Sequence, residues 1–299
     1  MTSNDGNEAD DLTSLREMVT DVVDEGIPVV APAGNSGPGY YTIESPGIAE
    51  EAITVGAVSI DERIWGYSSR GPTPYEKLVK PEVVCVGVNV ECPVPDEGGD
   101  ISLETKTGTS VANSIVSGVV TNIKSAHPDW TAQRLKNALI ATAKPLTHDD
   151  HYYDVFTQGA GLVDAEKAIN ADIIPTNAVI NIGGVYTTKT KSSNISIENI
   201  SDTQYEIEIR PLLSRVGGST CSGRISVSPS KLTIPPNQTE EIEVRLEPPE
   251  KIGLYSGRLF LQTPDGDRIG TLILGYAKFD ESTLNSKPEI NQVKPDIQR

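Results

Sequence analysis

The sequence predicts an α/β region followed by an all-β sandwich. Up to about residue 170, short apolar runs suited to buried parallel strands alternate with stretches of helical periodicity. From Ile182 to Phe279 short β-rich runs alternate apolar and polar residues between turns, with no helical period. At 299 residues the chain suffices for two ordinary domains, and 37% hydrophobic content permits a real core. The expected boundaries are 1–174 for the α/β part, 175–280 for the sandwich and 281–299 for a polar, aperiodic tail.

In order along the chain, Leu12, Leu15, Val19, Val22 and Val23 share one helical face, with Asp10 and Asp11 as cap candidates and Gly26 as the stop. Ile27-Pro28-Val29-Val30-Ala31 reads as a buried parallel strand, ending at the turn signal Ala33-Gly34-Asn35-Ser36-Gly37-Pro38. Further strands are expected at 52–58 and 82–86, with the polar turn 67–73 between them. A helix runs from Ser110 to about Ala126, its Val111, Ala112, Ile115, Val116, Val119, Val120 and Ile123 recurring at helical spacing. Ser117 and Gly118 leave room there for close neighbours, so the helix is expected to be buried mid-domain. His127-Pro128-Asp129 turns the corner into another helix, 131–143. In the second half, 195–197, 205–209, 241–246 and 258–261 read as half-buried antiparallel strands.

The net charge is −17, which argues against a nucleic-acid or anionic-membrane partner. Such a surface suits high salt or an extracellular setting, and equally an ordinary self-repelling soluble protein. Cys85, Cys92 and Cys221 are odd in number and imply no complete disulfide framework; Cys85 reads as a core residue, and a Cys85–Cys92 pair is weakly supported. No run approaches the roughly 18 apolar residues of a membrane span. Residues 1–11 are acidic and polar, the opposite of a signal peptide, and read like a surface loop that begins with Met.

The chain is organised around Gly108-Thr109-Ser110-Val111-Ala112, which sets one hydroxyl at the start of an apolar helix. There unpaired N–H groups and the macrodipole favour developing negative charge. As a lone tripeptide, Gly-Thr-Ser is an ordinary turn. Its companions change that. Val30-Ala31-Pro32-Ala33-Gly34-Asn35-Ser36-Gly37, Ser45-Pro46-Gly47 through Ala57, Ser68-Ser69-Arg70-Gly71-Pro72, Lys80-Pro81-Glu82-Val83-Val84, the Ser110 motif, and Gln158 to Ala165 follow in that order. Together these segments resemble the C-terminal half of a subtilisin-like serine protease (a subtilase) over about residues 12–170.

The resemblance implies an incomplete subtilisin-like parallel sheet with helices, and residues 1–174 as the C-terminal part of a peptidase domain. It implies Ser110 as nucleophile and Asn35 as oxyanion donor, with Ala33, Gly34 and Thr109 at substrate-binding positions and a polypeptide as substrate. Taken alone, Asn35 reads as an Asx-turn residue in a Gly-rich loop. The following sandwich resembles fibronectin type III-like modules, and Gly253-Leu254-Tyr255-Ser256-Gly257 resembles their usual loop between strands. Calcium is common in the family, but no D-x-D-x-D-G loop occurs, so no cofactor or metal ligand is assigned. An extracellular or cell-surface location follows from the resemblance, and three Asn-x-Ser/Thr triplets, at Asn194, Asn199 and Asn237, lean the same way.

Two departures stand out. Ser114 and Ile115 occupy places where the family usually carries proline and histidine, and a usual proline near Val86 is also replaced. More importantly, the family's order is Asp, His, Ser, and no D-[ST]-G or H-G-T motif precedes Ser110. All three histidines follow it: His127 reads as a helix-end residue, and His148 and His151 as an exposed acidic loop, with a metal contact the lesser alternative. The expectation is an N-terminally truncated chain with an internal methionine at position 1, inactive unless a separate N-terminal segment supplies the Asp, the His and the remaining sheet. The competing reading is a non-catalytic scaffold or binding protein descended from a subtilase.

Overall fold

The computed structural model describes residues 5–95, 101–217 and 223–280, with side chains from Ser14 onward. The expected 281–299 tail and Cys221 lie outside the described residues. A long helix, α1 (Asp5–Asp24), opens the chain. Helical backbone therefore begins upstream of Asp10 and Asp11, which lie inside α1 rather than capping it, and within the stretch expected as a loop. Gly26, at φ +84°, ends it as expected, with its N–H on Val23 O at 2.9 Å.

Strands β1 (Val30–Pro32), β2 (Ile53–Val58) and β3 (Val83–Val86) form a parallel sheet in the order β1-β2-β3. Hairpin β4 (Val90–Pro95) and β5 (Ile101–Lys106) projects from the end of β3 and returns the chain to α2 (Thr109–Ala126). Alternation along the strands turns Ile53, Val55, Ala57, Val83 and Cys85 toward Ala112, Val116, Val120 and Ile123 of α2. On the other face, Val58 and Val84 pack with Leu146. Every residue of β2 is thus buried, as a strand covered on both faces should be. Helix α2 is less enclosed than its spacing suggests: Ile115 is exposed, and a Cβ at Gly118 would meet nothing within 4 Å. Cys85 is a core residue, and Cys85 and Cys92 are both free thiols rather than a pair.

Helix α3 (Ala132–Thr142) follows, capped by the Thr131 side chain on Arg134 N–H, then hairpin β6 (Thr147–His148) and β7 (His151–Tyr152). Two short helices, α4 (Val155–Gln158) and α5 (Ala165–Ile169), start on the caps Asp154 and Asp164.

The β-rich C-terminal region holds β8 (Ile173–Pro175), β9 (Val179–Val185), β10 (Lys191–Asn199), β11 (Tyr205–Arg215), β12 (Arg224–Ser228), β13 (Lys231–Ile234), β14 (Thr239–Glu247), β15 (Gly253–Gln262) and β16 (Arg268–Lys278). A four-stranded sheet, β12-β14-β10-β8, and a five-stranded one, β13-β11-β15-β16-β9, contribute to a single core, with Ile195, Ile197, Ile242 and Val244 from one and Ile207, Leu259, Leu261 and Leu272 from the other. The expected 174/175 boundary falls inside β8, which belongs to the four-stranded sheet.

Three expectations change here. Gly253–Gly257 is the start of β15 and no loop. β9 and β16 pair in parallel rather than antiparallel. β15 and β16 are buried on both faces, because their outer face meets the α/β region. At that junction Gly275 is required by close approach: a Cβ would meet Val79 Cγ2 at 2.7 Å and Phe156 Cζ at 2.8 Å. Arg258, 2% exposed, donates to the carbonyls of Tyr153 (3.1 Å), Gly159 (3.0 Å) and Ala160 (3.2 Å), and burial pushes its pKa down to about 10. Asn199 is equally enclosed. Its Nδ2 donates to Thr203, Ile234 and Pro235 carbonyls, so this fold offers no acceptor at that triplet.

Beneath the sheet, Glu82 is buried between two lysines, 2.6 Å from Lys80 Nζ and 3.0 Å from Lys136 Nζ, and its other oxygen accepts from Thr54 N–H at 2.8 Å. Burial holds Lys80 down to about 8, with Glu82 acting against the shift.

Candidate active site

The strands bring two turns together at their C-terminal ends, where open parallel sheets ordinarily place their sites. The chain leaves β1 into the turn carrying Asn35, and returns from β5 through Gly108 into α2. Gly87 anchors this return. Its carbonyl accepts from Gly108 N–H at 2.8 Å, and a Cβ on Gly87 would strike Gly108 O at 2.7 Å.

Asn35 Oδ1 accepts from Thr109 N–H (3.0 Å) and from the Thr109 hydroxyl (3.1 Å), and that hydroxyl accepts from Gly34 N–H (3.2 Å). The carboxamide oxygen is thereby consumed. Nδ2 is left with its donors, for which no acceptor occurs among the described residues. Ser110 Oγ lies 3.2 Å, and Asn35 Nδ2 and Oδ1 both 3.8 Å, from the point a Cβ on Gly108 would occupy. The two side chains therefore converge on one side of the sheet, around a glycine whose missing side chain leaves the space between them.

Ser110 is exposed, and neither its hydroxyl nor its N–H has a hydrogen-bond partner among the described residues. The first turn of α2 holds no acidic residue and no side-chain cap, so the positive end of the helix stays open to a developing anion. Chemically, a hydroxyl, a backbone N–H and a fixed amide donor surround one open spot. That arrangement suits stabilisation of a tetrahedral oxyanion.

Ala33, Gly34 and Thr109 engage in internal contacts. Ala33 is fully buried, its N–H on Val55 O and its carbonyl accepting from Glu44 N–H. Gly34 carbonyl accepts from Ser69 N–H, and Ser69 Oγ accepts from Ser36 N–H at 2.9 Å. Gly34, at φ +104°, allows the turn, and its absent side chain admits the carboxylate of Glu44. Glu44 was not among the residues singled out in the sequence; only the fold shows it reaching back across nine positions to the Asn35 turn.

Among the described residues no general base is hydrogen-bonded to the Ser110 hydroxyl. His127 stacks on Trp130 at 3.9 Å, bonds Ile169 O through Nε2 and caps the far end of α2, about 25 Å from Ser110 by helical rise. His148 and His151 face each other across the β6–β7 hairpin, whose Tyr152 packs on Phe260 and Arg258. Among the described residues no group of three His, Cys, Asp or Glu could hold a metal ion, and no helix is long and apolar enough to cross a membrane.

The chain is similar to minor extracellular protease Vpr of Bacillus subtilis (strain 168), 29% identical over 213 residues that cover 68% of this chain and 26% of that protein. It is 37% identical to serine protease AprX of the same organism over 162 residues, 48% of this chain and 35% of AprX. To subtilisin-like protease SBT3.10 of Arabidopsis thaliana it is 34% identical over 128 residues, covering 39% of this chain and 17% of that one. The chain thus spans about a third or less of each of these relatives. The likeness to Vpr covers more of the chain than the peptidase segment alone, so it continues into the β-rich region. The model of the subtilase family matches residues 1–163, more than half of the chain. On that match, and with a serine and an asparagine meeting at Gly108, the chain belongs to the subtilase family.

Proposed function

We propose that this chain carries the nucleophile and oxyanion half of a subtilisin-like serine endopeptidase. Ser110 Oγ attacks a peptide carbonyl carbon, the new C–O bond forming as the carbonyl oxygen takes negative charge. Asn35 Nδ2 and Ser110 N–H donate to that oxygen. The amine then leaves with the serine proton, and water hydrolyses the acyl-enzyme. Thr109 and Gly34 act by holding Asn35 with its nitrogen forward, which puts them one step behind the substrate. The observation that carries this reading is the convergence of Ser110 Oγ and the Asn35 carboxamide on Gly108, with the Asn35 oxygen tied to Thr109 so that its nitrogen keeps its donors.

A serine hydroxyl without a base is a poor nucleophile. A separate N-terminal subtilase segment supplies the Asp and His in this reading, and residues 1–174 form the rest of the peptidase domain. Residues 175–280 form a fibronectin type III-like sandwich; the core shared by their two sheets supports this. An extracellular or cell-surface location is supported by the likeness to a relative named an extracellular protease.

The test is covalent labelling with a fluorophosphonate. Ser110 Oγ forms a bond to phosphorus and fluoride leaves. The isolated chain is expected to label slowly or not at all, and faster when imidazole is added as an external base, with no label in Ser110→Ala. Rapid labelling without imidazole would show that the chain holds its own base. Failure to label Ser110 even with imidazole overturns the nucleophile assignment. It would favour the alternative, a non-catalytic scaffold, which the distance of His127 from Ser110 supports. In the complete assembly Asn35→Ala should lower kcat by about 10²–10³-fold, a magnitude known from subtilisin itself rather than deduced from this geometry.

A further inference from the structure

Ser69 grips the Asn35 turn from both sides. Its N–H donates to Gly34 O at 3.0 Å, and its Oγ accepts from Ser36 N–H at 2.9 Å. Asn35 lies between these two bonds, and its own backbone N–H and carbonyl make none among the described residues. Thr109 fixes the carboxamide oxygen, but the backbone that carries it is held through Gly34 O and Ser36 N–H, both on Ser69.

The grip is a firm one. Ser69 is fully buried, although Asn35 and Ser36 are exposed. Its neighbours are anchored in turn: Ser68 Oγ accepts from Ala57 N–H of β2 at 3.0 Å, Arg70 N–H donates to Thr42 Oγ1 at 2.9 Å, and Gly71 N–H donates to Phe156 O at 2.9 Å. The turn also presses against this segment, since a Cβ on Gly37 would meet Ser68 O at 2.2 Å. Oxyanion stabilisation requires a donor in place before the charge develops, and a displacement of about 1 Å can cost about 10²-fold. We infer that Ser69 is a positioning residue for the oxyanion site. It acts through Asn35, by fixing the backbone from which the carboxamide reaches the reacting oxygen. The inference rests on the nucleophile-and-oxyanion reading above.

The test is a double-mutant comparison on the full chain, read by fluorophosphonate labelling with imidazole as external base. Ser110 Oγ bonds to phosphorus, fluoride leaves, and imidazole takes the serine proton. Ser69→Ala keeps the N–H on Gly34 O and removes the acceptor for Ser36. It should slow labelling about tenfold, a part of the loss caused by Asn35→Ala. In the Asn35→Ala chain the same change should have no effect, because the donor it positions is gone. A residue that merely supported the fold would slow both chains alike. Ser69→Cys, close in size but a weak acceptor, should fall between serine and alanine, and it replaces Ser69→Ala in the comparison if that variant does not fold.

A second measurement needs no nucleophile: the side-chain amide signals of Asn35 in NMR spectra. Ser69→Ala should shift and broaden them, while the amide of Asn137, bonded to Thr176 O at 2.8 Å, stays in place. Equal slowing with and without Asn35, or no slowing at all, overturns the inference and leaves the nucleophile reading intact. Absence of labelling in the unmodified chain overturns the nucleophile reading. The Asn35 signals then decide Ser69 by themselves: their change sustains its hold on the carboxamide, and their constancy ends it.

Discussion

The β-rich region closes two sheets over one core, whereas the α/β region has a three-stranded sheet and leaves apolar surface in water. Met18 is 62% and Ile27 57% exposed, and the hairpin before the nucleophile shows Ile101 at 78%. β1 pairs with β2 alone, and among the described residues no strand lies on its far edge. Between that edge and α2 runs a groove of about 410 Å³, lined by Ile27, Pro28, Val30, Ser117, Val120 and Lys124. Despite this openness the site geometry is formed. Its hydrogen bonds lie within the site, Thr109 donating to Asn35 Oδ1 and Gly34 N–H donating to the Thr109 hydroxyl, and the turn beneath rests on residues 67–71. That segment in turn rests on Phe156, which is wedged against β16. The closed region therefore supports the open one from below, where Arg258 and Gly275 meet the loop 153–160.

The strongest way to break this comparison is Glu82→Ala. It leaves Lys80 and Lys136 buried beneath the sheet without their carboxylate and should cost about 3–5 kcal/mol. In urea the α/β region should unfold first while the β-rich signal persists; simultaneous loss of both would show a single cooperative unit.

Next is the pH response of Lys80. Its pKa in the fold, about 8, lies below the ordinary 10.5, so the unfolded chain binds more protons between those values. Stability should rise across that window, on the order of 3 kcal/mol, and the gain is lost as pH falls through about 8. Urea midpoints for Lys80→Met should lack this rise. The buried Tyr40 and Tyr41 hydroxyls, both pushed up, act oppositely at the alkaline end, so the difference between chain and variant is the measure.

Arg258→Met removes three hydrogen bonds to loop carbonyls, partly offset by relief of a buried cation, and should cost about 2 kcal/mol. Faster hydrogen exchange should appear at residues 153–160 and at the 67–71 turn; change confined to β15 would show that the support is not transmitted.

Gly118→Ala has the smallest expected effect and the opposite sign. With open space around it, the helix should gain about 0.5–1 kcal/mol in the isolated chain. Loss of that gain in the presence of an upstream segment would place the segment on α2.

Much of this could be read beforehand, for reasons particular to each element. β2 and α2 are local patterns: a run of apolar residues and a 3.6-residue period survive any context, and both appear within a residue of their expected bounds. Ser110 and Asn35 stand out only through the family resemblance of the ordered segments around them; taken alone, each reads as an ordinary turn residue. The start of α1, the parallel β9–β16 pair and the strand at Gly253–Gly257 were not legible. Glycine and acidic stretches carry weak preferences, and burial against the α/β region accompanies the strand at Gly253–Gly257.

The sequence by itself determined which residues could form a strand, a helix or a reactive turn, because those preferences lie in neighbours a few positions apart. Only the tertiary structure decided that Asn35 would face Ser110 across 75 residues, that Glu44 would fold back beside them, and that Arg258 would be buried in a strand reading as half-exposed. Those outcomes depend on which surfaces meet, and contact between distant segments leaves no periodic trace in the chain.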